Sequence, residues 1–377
     1  MVKILFTLGA RSEWGYIRPL IDLSLKRGHQ CEIWACNMSV LSRFGLLVEE
    51  IEKDGYQIAG KFHTSVDGDN RIGMSKSLGL AVLSASDWLS NNEYDWVIIS
   101  GDRVEQLGVT LAAAIQYFPI AHIQAGERSG NIDGVTRHAI ARYAHLHFAA
   151  NEDAKNRLVR SGEDEYRVHV TGAPQIDEIR ISRIPDIAEL IERRIVSSNN
   201  FILAVLHGVT EESDSAAEKI ELLISILHGE ETQIIWIGSN NDSDKLVIEH
   251  HIKQTLRTDD RFYSNLNRLD YLSLLKHSTF IIGNSSSGIL EAPSFGTPAI
   301  NIGRRQDLRF RGQNVIDCNF ELSELKGAIK LAKSNEFLER SKEATNPYGD
   351  GESSQRILEI LESTAVSPEF LIKQINY

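Results

Sequence analysis

Nothing in this 377-residue chain is long and apolar enough to cross a membrane, and the first apolar run, Ile4–Leu8, is too short for a secretory leader. Cysteine is scarce. Cys31, Cys36 and Cys318 include no C-x-x-C pair, so reduced thiols are expected rather than a disulfide framework. A basic excess is missing as well: 40 Lys and Arg against 52 Asp and Glu give a formal net charge of −12, which argues against a nucleic-acid binder. There is no G-x-x-x-x-G-K-[ST] loop and no G-x-S-x-G elbow. His250 and His251 are adjacent and diverge on a helix, while His145 and His147 have no carboxylate or cysteine partner near them in sequence, so no metal site is expected. These absences predict a cytoplasmic enzyme or binding protein with no nucleic-acid or membrane partner.

What is present is ordinary globular composition, 42% hydrophobic and 24% charged, in a chain long enough for two domains. Short apolar runs alternate with helical patterns from end to end. Strands are expected at Lys3–Leu8, Cys31–Ala35, Trp96–Ser100, Ile120–Ala125, His147–Ala150 and Val168–Thr171, then at Phe201–Leu206, Gln233–Ile237, Thr279–Ile282 and Ala299–Ile302. This βα rhythm predicts an α/β protein of two doubly wound parallel sheets. The polar stretch Asp177–Asn200 separates them, giving domains 1–180 and 181–355, with 356–377 as a C-terminal helix and tail returning to the first domain. Two such domains facing each other create a cleft lined by the carboxyl ends of both sheets.

The unusual polar groups cluster just after expected strands. Gly283-Asn284-Ser285-Ser286-Ser287-Gly288 follows one strand and precedes an expected helix, Gly288–Phe295, whose N-terminus would present N–H groups to an anion. Glu291 lies one turn further, where a carboxylate suits a ribose diol, so the pattern suggests a nucleotide diphosphate ligand. Arg11, after the first strand, is a candidate phosphate ligand or a plain surface arginine. Asp102 is a candidate catalytic group or simply a helix cap. Glu127 and Asp133, six residues apart in a glycine-rich loop before Arg137, form a plausible acid/base pair, although Asp133 also fits as the cap of a helix beginning near Val135. His207 fits either a diphosphate ligand or a structural histidine, and Arg305 adds charge after the last clear strand.

These segments together resemble the UDP-N-acetylglucosamine 2-epimerase family, in particular its hydrolysing branch in bacterial sialic acid or legionaminic acid synthesis. The carriers are Gly9-Ala10-Arg11-Ser12-Glu13-Trp14-Gly15, Gly101-Asp102-Arg103, His122 through Gly130 with Asp133, Arg137-His138-Ala139-Ile140, His207-Gly208, the serine turn with Glu291, and Arg305-Gln306. The resemblance implies two Rossmann-like domains in the glycosyltransferase-B arrangement. It also implies Arg11, His207, Ser285, Ser286, Ser287, Gly288 and Arg305 around the diphosphate, Glu291 on the ribose, and uracil against the backbone near Leu266–Leu269. Asp102, Glu127 and Asp133 would move protons at the sugar, with Arg137 setting their charge and position. The partner implied is a UDP-sugar, with no cofactor and no metal, and a homodimer or higher homo-oligomer is expected.

Two departures bear on the branch. The first loop lacks the Pro and Lys of many non-hydrolysing relatives, which favours the hydrolysing reaction, and Gly134 stands where relatives often carry an acid beside the aspartate. The substrate alternatives are UDP-N-acetylglucosamine and UDP-2,4-diacetamido-2,4,6-trideoxyglucose. A non-hydrolysing epimerase, a glycosyltransferase of the same fold and a non-catalytic nucleotide-sugar sensor are the other readings. Three carboxylates near the sugar argue against the last two.

Overall fold

The buried apolar runs pair, all in parallel, into two sheets in the computed structural model of the chain. Residues 1–42, 45–66, 71–129, 132–209, 215–238, 245–264, 266–374 and 376 are described. One compact unit comprises Met1–Arg180 with Tyr348–Tyr377, and the other Ile181–Pro347.

The first unit carries β1 (Lys3–Leu8), β2 (Gln30–Cys36), β3 (Ile58–Phe62), β4 (Trp96–Ser100), β5 (Ile120–Ile123), β6 (Leu146–Ala149) and β7 (Val168–Val170), in the order β3-β2-β1-β4-β5-β6-β7. The second carries β8 (Phe201–Val205), β9 (Gln233–Ile237), β10 (Arg261–Tyr263), β11 (Ile281–Gly283), β12 (Ala299–Ile302) and β13 (Val315–Cys318), ordered β10-β9-β8-β11-β12-β13. In each sheet the winding reverses between two neighbouring strands, β1 and β4 or β8 and β11. Ligands of open α/β sheets bind outside the carboxyl ends of such strands.

Alternation along each central strand fills both faces. Ile4, Phe6 and Ile98 pack with Ile17, Leu20 and Ile21 of helix Arg11–Lys26 and with Ile357, Leu358 and Leu361 of helix Ser353–Ser363. Leu5, Val97 and Ile99 face the other way, onto Ala85, Val109 and Ile140 of helices Arg71–Leu89, Val104–Ile115 and Ile132–Tyr143. Each fully buried side chain of this size contributes about 1.5–3 kcal/mol.

The chain re-enters the first unit at Tyr348, upstream of residue 356, because Tyr348 is itself fully buried and its carbonyl accepts the Ala173 N–H at 2.7 Å. Further on, Lys373 caps helix Ile132–Tyr143. Its ammonium donates to the carbonyls of Ala141 at 2.6 Å and Ala144 at 2.9 Å, and it is ion-paired with buried Glu163. A cation at a helix C-terminus satisfies carbonyls that have no intrahelical partner.

Candidate active site

In the second unit the β8/β11 switch point is built on Gly283. Its φ is +135°, and a Cβ there would lie 2.0 Å from the Val205 carbonyl oxygen, so only glycine fits. Asn284 then bridges to the end of β8: its Oδ1 accepts the His207 N–H at 2.7 Å and its Nδ2 donates to the His207 carbonyl at 2.8 Å. Ser285, Ser286, Ser287 and Gly288 follow. The Ser287 N–H donates to Ser285 Oγ at 3.3 Å, whereas no hydrogen bond from the Ser285 or Ser286 N–H occurs among the described residues. Those two donors suit an anion.

The helix expected over Gly288–Phe295 is not a single helix. Ser287–Leu290 forms one α-turn and Ala292–Phe295 a 3-10 turn, because Pro293 has no N–H to extend the ladder. So short a turn has little macrodipole, and anion binding here rests on local N–H and hydroxyl donors.

Charged and aromatic groups brace this turn. Arg305 Nη1 and Gln306 Nε2 both donate to the Asn284 carbonyl, at 3.1 and 3.0 Å. The His207 imidazole is buried, and burial, then the Arg305 charge, push its pKa down to about 3. It is therefore neutral at physiological pH. Glu291 is buried with one oxygen ion-paired to Arg268, while its Oε2 has no hydrogen-bond partner among the described residues. Tyr271, on helix Arg268–His277, lies beside Ser285 and Ser287, and burial followed by the Glu291 charge pushes its phenol up to about 12. Leu266–Leu269 leads into that helix, which Asn267 caps by accepting the Asp270 N–H at 2.9 Å.

In the first unit, Asp102 follows β4, but the cap of helix Val104–Ile115 is Arg103, so Asp102 is not the cap. Instead Asp102 accepts from Ser129 Oγ at 3.1 Å and is ion-paired with Arg137. Arg137 is only 2% exposed, which makes its partners decisive. Its Nη1 donates to the Gln124 carbonyl at 2.9 Å and stands 3.9 Å from Glu127 Oε2. Burial opposes the guanidinium charge, but Asp102 and then Glu127 outweigh it and raise the pKa. One fixed cation thus gathers two of the three expected carboxylates.

Asp133 lies within the first turn of helix Ile132–Tyr143, one turn before Arg137, and is not a cap preceding it. Its negative charge acts on Arg103. Gly130 and Asn131, part of the loop motif, lie outside the described residues. The glycine at 134 has a steric reason: a Cβ there would lie 2.7 Å from the Ser129 carbonyl oxygen. His122 is fully buried, its pKa pushed down to about 3 chiefly by burial, and its Nε2–H donates to the Gly101 carbonyl at 2.7 Å, a structural role. Arg11 forms a two-point pair with Glu50 at 2.8 and 2.7 Å on the surface. The Gly9 and Ala10 N–H groups, where a Rossmann-type phosphate would sit, donate to Glu13 Oε2 at 2.6 and 3.2 Å.

The family model for UDP-N-acetylglucosamine 2-epimerase matches residues 23–362. The chain belongs to the UDP-N-acetylglucosamine 2-epimerase family. A hydrolysing UDP-N,N'-diacetylbacillosamine 2-epimerase of Legionella pneumophila is 32% identical over 98% of this chain and 98% of its own length. A UDP-N-acetylglucosamine 2-epimerase of Neisseria meningitidis is 30% identical over 96% and 95% of the two chains. Among solved structures, the Neisseria meningitidis UDP-GlcNAc 2-epimerase bound to UDP-GlcNAc shares the fold, with a TM-score of 0.82 at 20% identity, covering 96% of this chain and 100% of that one.

For this epimerase-family chain, sequence reasoning missed the residues that hold others in place: Asn284, Ser129, Arg268 and Tyr271. Asn284 had a signal, since it stands between a strand end and the serines. Tyr271 had none, because its contact with the turn is long-range. Among the described residues no group of three or more His, Cys, Asp or Glu is placed to hold a metal ion, and no helix is long and apolar enough to cross a membrane.

Proposed function

We propose that this chain is a hydrolysing 2-epimerase of an N-acetylated UDP-sugar. A base takes the C2 proton while the C1–O bond breaks and UDP leaves with the bonding electrons, giving a 2-acetamidoglucal. Water then adds its oxygen to C1 and a proton reaches C2 from the opposite face, releasing the free manno-configured sugar.

The observation that carries this reading is Arg137 holding Asp102 and Glu127 together beside Asp133, one turn earlier on the same helix. A binding module needs no such set of proton carriers, and a transferase needs an acceptor rather than a base at C2. The second unit would hold UDP. The Ser285 and Ser286 N–H groups, the serine hydroxyls, neutral His207 and Arg305 would stabilise charge developing on the departing diphosphate. Glu291 Oε2 would accept from the ribose. Arg11 would exchange its exposed pairing with Glu50, worth about 0–1 kcal/mol, for the diphosphate.

UDP-N-acetylglucosamine is the leading substrate. The names of the Legionella relative and of a Campylobacter jejuni relative, 32% identical over 89% of this chain, favour the 2,4-diacetamido-trideoxy sugar as the second one to test. Incubation with each UDP-sugar in D₂O, followed by NMR, is the test. UDP release with a C2-deuterated manno product supports the proposal. Interconversion without UDP release overturns the hydrolysing step, and transfer to an added acceptor overturns the epimerase.

A second copy of the chain is the expected partner. Ile72, Leu80 and Leu83 on helix Arg71–Leu89 and Ile115 on the helix packed against it are exposed apolar residues. Sedimentation equilibrium checks this: a dimer is expected, with Leu83→Glu shifting it toward monomer.

A further inference from the structure

Beneath the first switch point lies a buried acidic pair that the proposed mechanism does not use. Glu13 is 1% exposed and Glu105 fully buried, and among the described residues half-buried Arg103 is the cation acting on both: its Nε donates to Glu105 Oε1 at 2.6 Å. Gly9 is held against both carboxyls. Its N–H donates to Glu13 Oε2 at 2.6 Å, and a Cβ on it would lie 2.5 Å from Glu105 Oε1. Gln106 Nε2 also donates to Glu13 Oε2, at 2.8 Å. That leaves Glu13 Oε1 and Glu105 Oε2 buried without a hydrogen-bond partner among the described residues.

Two ionised carboxylates against one guanidinium would leave an uncompensated buried negative charge, which costs several kcal/mol. The other titratable neighbour is Cys36 at the end of β2, whose thiol burial and the two carboxylates push well above its usual range, so it stays neutral. Asp133 adds negative charge near Arg103 and makes a second anion harder to hold.

We propose that Glu13 carries a proton, so that the buried pair holds one negative charge rather than two, and that this internal carboxylic acid is a positioning device for the Gly9-Ala10-Arg11 turn and for Arg103 beside Asp102. With the proton on Glu13, the pair's single negative charge is matched by Arg103. Glu13 Oε2 still accepts from Gly9, Ala10 and Gln106, and the proton sits on Oε1. Burial first, then the Glu105 charge, push Glu13 up to about 8. Raising the pH through that point removes the proton and returns the unbalanced charge to the turn. The link to activity rests on the epimerase reading above, whereas the proton itself does not.

Two measurements on the full chain separate these. With glutamate labelled at the side-chain carboxyl carbon, NMR is expected to show one glutamate titrating near pH 8, absent in Glu13→Gln. If every glutamate titrates in the ordinary range near 4, the proposal is overturned whatever the enzyme does. For activity, kcat/KM for UDP release is expected to fall about tenfold for each pH unit above 8 in the wild type. In Glu13→Gln, where the amide replaces the acid, it should stay flat there and within about threefold of wild type at pH 7. A folded Glu13→Gln that is inactive at pH 7 overturns the positioning role. Should that variant fail to fold, the wild-type titration alone decides the proton.

Discussion

At the scale of single residues, the same side-chain chemistry is put to opposite uses according to surroundings. Glu127 and Asp102 stand against a buried guanidinium, whereas Glu13 stands against another carboxyl. Glu127→Gln or Asp133→Asn is expected to lower kcat by about 10²–10⁴ while UDP binding by calorimetry survives; an equal loss of UDP affinity would mark both as structural. Tyr271→Phe removes the phenol beside Ser285 and Ser287. It should raise KM and the Kd for UDP by about 3–10-fold, the worth of about one hydrogen bond, with circular dichroism unchanged. Asp102 and Glu127 are legible because each stands in the loop just after a strand, and Asp133 because it closes the same glycine-rich loop that Glu127 opens. Tyr271 is not, since its partners lie more than a dozen residues away and nothing in its own helix marks it.

At the scale of elements, the central strands could be read because both of their faces are buried and their sequences are continuously apolar. The strands left unread, β3, β10 and β13, are all sheet edges, and their residues are mostly half-buried, as in Ile58-Ala59-Gly60-Lys61-Phe62. An edge strand owes its place to a neighbour rather than to its own pattern. The serine turn shows the converse. Its position is legible in the sequence, but the helix expected over Gly288–Phe295 is broken, because Pro293 cannot extend the ladder. Gly283→Ala should prevent the second unit from folding, seen as loss of a cooperative transition, since Val205 leaves no room for a Cβ. The milder Asn284→Ala should cost about 1–3 kcal/mol in urea denaturation, because it removes both side-chain hydrogen bonds to the His207 backbone.

At the scale of the whole molecule, buried titrating groups set a pH optimum for stability. His122 and His207 are held down to about 3, and His145 and His147 to about 4, each chiefly by burial. Unfolded histidines bind protons below about 6.5, so the stability these four contribute is complete above that pH and is lost as pH falls toward 4 and 3. Glu13 acts with the opposite sign: folded, it keeps its proton up to about 8, so its contribution declines as pH rises from the ordinary carboxylate range to that point. Four protons against one place the maximum near pH 6.5. Urea midpoints at pH 5, 6.5 and 8 should be highest at the middle value, with the steeper fall on the acid side.

The return of Tyr348–Tyr377 to the first unit carries a consequence for the order of events during synthesis. Residues 1–180 emerge first, and domains generally fold as they emerge. Yet the face of the first sheet around Ile4 and Ile98 lacks Ile357, Leu358 and Leu361 at that stage, and the helix bearing Asp133 and Arg137 lacks Lys373 at its end. The second unit is a continuous segment and can be finished while the first still waits. The half of the molecule that is translated first, and that carries the candidate proton-transfer groups, is therefore the half completed last, and a nascent chain that stalls between the two holds the serine-turn half without those groups in their finished setting.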